Sequence, residues 1–73
     1  MRTYWKAESY KSGELNSINF PERETQAEAT CDAEDFLSGL GEFDSRHITA
    51  GVVEWESDGE SATNTGRFAD VTI

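Results

Sequence analysis

Only one stretch of this chain carries a helical spacing of apolar side chains, Ala29-Thr30-Cys31-Asp32-Ala33-Glu34-Asp35-Phe36-Leu37-Ser38-Gly39-Leu40-Gly41. Ala33, Phe36, Leu37 and Leu40 fall at i, i+3, i+4 and i+7, so one stripe is apolar while Asp32, Glu34, Asp35 and Ser38 look outward. Thr30 or Asp32 is placed to cap the first free N–H groups, and carboxylates at 32, 34 and 35 suit the positive end of a helix dipole. Gly39 and Gly41 offer the left-handed residue that closes a helix. A helix this short does not stand alone in water. Its stripe has to be buried against a sheet supplied by the flanking segments.

Those flanks read as strands. Thr3 to Tyr10 is rich in Thr, Tyr and Trp, with Trp5, Ala7 and Ser9 on one face and Tyr4, Lys6, Glu8 and Tyr10 on the other. Residues 11–17 form a polar turn, and Pro21 fits an edge or a bulge because it has no ladder donor. Glu24 to Ala29 alternates Thr25, Ala27 and Ala29 against Glu24, Gln26 and Glu28, which predicts a second strand leading into the helix. His47 to Glu56 is the best strand in the sequence, followed by the turn signal Asp58-Gly59. The last strand begins either at Glu60 or, after a polar loop, at Arg67.

The expected fold is therefore α+β, β-β-α-β-β, a four-stranded antiparallel sheet with one short helix packed on one face, in a single domain over residues 1–73. The best strand is apolar on both faces, with Ile48, Ala50 and Val52 opposite Val53 and Trp55, and one helix covers only one of them. The uncovered side is left to bury itself in a homodimer or on a partner.

Charge narrows the function. Fifteen carboxylates against six basic residues give −9, which opposes compaction and disfavours nucleic acid and anionic lipid as direct ligands. No apolar run approaches the roughly 20 residues that span a bilayer, and Met1 to Lys6 lacks the apolar core of a secretion signal. A lone cysteine fits a reducing compartment, so a cytoplasmic location is expected. The natural partner is a basic protein, with no membrane contact.

Two acidic groups stand out. Glu54, Glu56 and Asp58 lie two apart, so on a strand they form a row spaced about 6.6 Å beside Trp55, an imitation of a phosphate backbone. Glu28, Asp32, Glu34 and Asp35 cluster where strand and helix meet. Tyr4 and Tyr10 are the candidate aromatic anchors, although Trp5, Trp55 and Phe68 are equally readable as plain core. Glu54 to Gly59 also partly copies a calcium loop, but its twelfth place is Thr65 instead of a bidentate Glu, so no metal is expected. No cofactor fingerprint and no catalytic constellation is present, His47 being the only imidazole and nothing pairing it with Cys31, so an enzyme is not expected.

In size, acidity and β-β-α-β-β layout the chain resembles the small anti-CRISPR proteins of phages and other mobile elements. The run Glu22-Arg23-Glu24-Thr25-Gln26-Ala27-Glu28-Ala29, followed by a short helix, is similar to the strand-to-helix passage of one inhibitor of type I surveillance complexes. The resemblance implies a phage-encoded, non-enzymatic inhibitor that occludes the nucleic-acid path of a CRISPR effector in the host cytoplasm. That family shares no binding signature, so the resemblance assigns no residue a role. The sequence-based expectation is an acidic binding protein that occupies the basic nucleic-acid surface of such a complex. The alternative is a structural or homodimeric accessory domain whose acidity reflects salt adaptation or solubility.

Overall fold

The computed structural model describes residues 1–16, 18–42 and 44–72. Strand β1 spans Arg2–Lys11, β2 Glu14–Asn16, β3 Glu22–Arg23, β4 Ile48–Ser57 and β5 Ala62–Val71, and helix α1 spans Gln26–Ser38. The five strands form one antiparallel sheet in the order β2-β1-β4-β5, with β3 also on β1. The α+β architecture is the expected one, an antiparallel sheet with one helix packed on it, and the strand count is five instead of four.

The difference lies in the second strand. Residues 24–29 do not pair: Thr25 is the helix N-cap, and 26–29 are the first turn of α1. The Thr25 hydroxyl accepts from Glu28 N at 3.2 Å and donates to Glu28 Oε1 at 3.0 Å, a reciprocal cap of the T-x-x-E kind. This local bond pattern outweighs the weak period-two signal, since alanine has no preference for a strand. The edge beside β1 is instead built from β2 and β3, which pair at Tyr10↔Leu15 and Trp5↔Arg23. Ser12 and Gly13, both with positive φ, make the two-residue turn into β2, as the twist of a tight hairpin requires. Pro21 sits in the interruption between β2 and β3, where the ladder has no use for its missing donor.

The helix stripe shifts accordingly. Ala29 and Ala33 are fully buried, Phe36 and Leu37 are half-buried against the core, and Leu40 lies beyond the helix end. The helix ends without a left-handed residue. Gly39 caps it at φ −85°, and the last carbonyls are taken up by a tighter bond from Leu40 N to Leu37 O at 3.2 Å. Two alanines at the contact let α1 lie close over β1 and β4, on Ala7, Ala50 and Val52. Phe20, carried on the interruption between β2 and β3, closes the core edge-on to Phe36 at a centroid distance of 5.5 Å, a contact worth about 1 kcal/mol beyond its buried area.

The last strand starts at neither of the two expected places. Ser57 pairs with Ala62, so Asp58 to Ser61 is a four-residue loop, and β5 begins directly after it. Between Val53↔Phe68 and Trp55↔Asn64 the register slips, and Thr65, Gly66 and Arg67 bulge out opposite Glu54. Gly66 stands at φ +92°, and its N–H donates to Asn64 Oδ1 at 2.7 Å, a conformation a side chain would oppose.

Candidate functional site

Cross-strand register sorts the surface into two sides. Trp5, Ala7 and Ser9 with Glu54, Val52 and Ala50 face the helix, and Tyr4, Lys6, Glu8 and Tyr10 with Trp55, Val53, Gly51 and Thr49 face away from it. On the uncovered side β5 adds Asn64, Phe68 and Asp70. That side holds few charges. Arg2, Lys6, Glu8, Glu22 and Asp70 are two cations and three carboxylates, a net −1. The remaining −8 of the chain's −9 therefore belongs to the helix, the helix-facing positions and the loops.

The two acidic groups have different fates on this frame. Glu54 and Glu56 do share a strand face, but Glu54 is spoken for: Thr65 Oγ1 donates to its Oε1 at 3.0 Å across the bulge, and Arg67 Nη1 lies 4.0 Å from its Oε2. With its side chain only 15% exposed, Glu54 presents little to a partner. Asp58 leaves the row altogether. Its Oδ1 accepts from Glu60 N at 2.9 Å and Ser61 N at 3.0 Å, closing the loop. Those backbone N–H groups hold its carboxyl below the usual aspartate range. The expected continuous row of three carboxylates is thus reduced to Glu56, because a strand position, a bulge and a loop present the three side chains differently.

The helix group is better displayed. Glu28, Asp32 and Asp35 follow each other at i, i+4 and i+7 on one flank, while Glu34 lies on the other. Asp32 is neutralised, since Arg23 donates from Nε at 2.8 Å and Nη2 at 3.0 Å to its two oxygens. That forked contact raises the arginine's pKa further. Glu28, Glu34 and Asp35 are exposed. All four arginines stand within bridging distance of carboxylates: Arg2 with Glu22, Arg23 with Asp32, Arg46 with Glu42 and Arg67 with Glu54.

The aromatic anchors also differ from expectation. Tyr4 is 7% exposed, with the Arg2 guanidinium 5.3 Å from its ring centroid, so it is not available as an exposed anchor. Tyr10 is half-buried, and its hydroxyl donates to Glu8 Oε2 at 2.5 Å. Trp5 packs against the core and Trp55 is half-buried on the uncovered side, but Phe68 is no core residue at 71% exposure. Leu15 and Ile18 are also exposed, Leu15 on β2 at the opposite edge of the sheet from Phe68. The alternation of Ala69 and Val71 against Phe68 and Asp70 in the sequence puts Phe68 on the face opposite Ala69, as observed.

A shallow groove of about 280 Å³ runs over the uncovered side between Tyr4, Lys6, Leu15, Ile18 and Trp55. A second, of about 230 Å³, lies between Glu8, Gly51, Val53 and Phe68. Among the described residues no group of three or more His, Cys, Asp or Glu side chains is placed to hold a metal ion. Among the described residues no helix is long and apolar enough to cross a membrane. Cys31 is exposed, in the second turn of α1.

No family model, curated protein or solved structure matches this chain.

Proposed function

We propose that the chain is a non-enzymatic acidic binding protein that occupies the basic nucleic-acid surface of a partner complex and thereby inhibits it. A CRISPR effector in the cytoplasm of a phage host is the target class that the resemblance implies. The observation that carries this reading is the charge distribution: −8 on the helix side and loops, −1 on the uncovered sheet side. A field weighted away from the uncovered sheet side orients the molecule toward a cationic cleft and speeds encounter. The carboxylates that serve are the exposed ones, Glu28, Glu34 and Asp35, joined by Glu56. Asp32, Glu54 and Asp58 have structural work, holding Arg23, the β5 bulge and the 58–61 loop.

The test is a competition measurement with a purified type I surveillance complex and its target duplex DNA. Addition of the wild-type chain is expected to abolish DNA binding at low salt and to lose potency steeply as salt rises. The triple variant Glu28→Lys, Glu34→Lys, Asp35→Lys should be inert while folding normally. Inhibition that ignores salt, or that survives the triple variant, would remove the electrostatic basis of the reading. No effect on the complex would remove that target.

A further inference from the structure

We infer that the uncovered sheet side is a self-association surface, on which a second copy of this chain packs face to face. This goes beyond the partner-binding reading and does not depend on it. Two chains of −9 repel, and the side at −1 is where they can meet with least opposition. It also carries exposed apolar side chains at both edges, Phe68 at 71% on β5 and Leu15 at 65% on β2, with Ile18 at 39% and the half-buried Trp55 lining the same groove as Leu15.

Its charge pattern complements itself. Lys6 shares a row with Glu22, Val53 and Phe68, and the next row along the strands holds Glu8, Gly51 and Asp70. A two-fold axis crossing the strands between these rows lays Lys6 of one copy over Glu8 of the other, twice over. Such an isologous contact closes at two chains. Ten-residue strands in β1, β4 and β5, at about 3.3 Å per residue and about 4.8 Å spacing, lay out roughly 500 Å² of face per copy. The pair then covers about 1,000 Å² in total, the lower bound of a specific interface. Aligned sheet-on-sheet packing is the ordinary way to bury such a face.

Sedimentation equilibrium of the full chain tests this across salt, from about 0.05 M to about 0.5 M, a range over which repulsion between surface charges is progressively screened. The expected mass is twice the 8.1 kDa of one chain, with self-association strengthening as salt rises. Phe68→Asp, at an exposed position and with an unchanged circular dichroism spectrum, should weaken it by about 30-fold or more if Phe68 is a central anchor. A single-chain mass at every salt concentration, or a Phe68→Asp variant that associates like the wild type, overturns the inference. The outcome separates cleanly from the partner reading, because partner binding weakens with salt and fails in the helix triple variant, which should still self-associate.

Discussion

Tyr10 shows how much one hydrogen bond does in so acidic a molecule. Its hydroxyl donates to Glu8, and that bond, then burial, then the charges of Glu8 and Asp70, push the phenol up to about 12. The folded chain therefore keeps this proton where the unfolded chain releases it. The stabilisation is fully present below the ordinary value of about 10 and is lost as pH rises from there through about 12. Denaturant unfolding followed over that alkaline range should show the decline, and Tyr10→Phe should lack this component of it. A wild type and a Tyr10→Phe variant with the same alkaline slope would mean that Glu8 does not hold the phenol.

At the scale of the element, α1 depends on its cap. Thr25→Ala removes both halves of the reciprocal bond with Glu28, and a loss of about 1 kcal/mol in unfolding free energy is expected. Thr30→Ala, at the position the apolar spacing alone favours as a start, should cost clearly less, which thermal melts of the two variants will compare. The same element shows what the sequence could and could not disclose. The long strands β1 and β4 were legible because β-branched and aromatic residues run through them. The helix was legible from its apolar spacing, but its start was not: in 24–29 small residues alternate with polar ones, and T-x-x-E was the signal that decides between strand and helix. The split edge of β2 and β3 has no comparable signature, since three and two residues are too few to show a period. The site was legible at the level of charge and not of individual side chains. Whether Glu54 is free depends on Thr65 and Arg67, eleven and thirteen positions away, brought to it by a bulge whose one sequence mark is Gly66 within a strand.

For the whole molecule, the balance is between self-repulsion and a thin core. The four arginine bridges mostly lie at the surface and each contributes little, so the surplus of carboxylates is opposed mainly by solvent and salt. Melting temperature is expected to rise from low salt to about 0.5 M as that repulsion is screened, and to do so in the Phe68→Asp variant as well. A flat profile in that variant would locate the salt effect in association instead of within the single chain. One further consequence follows from the placement of Cys31, exposed on α1 and turned away from the stripe of Ala29, Ala33 and Phe36. Its thiol is the only one in the chain. A maleimide dye attached there rides on the carboxylate-bearing pole, so its emission can register the arrival of a cationic target while remaining blind to events on the opposite pole.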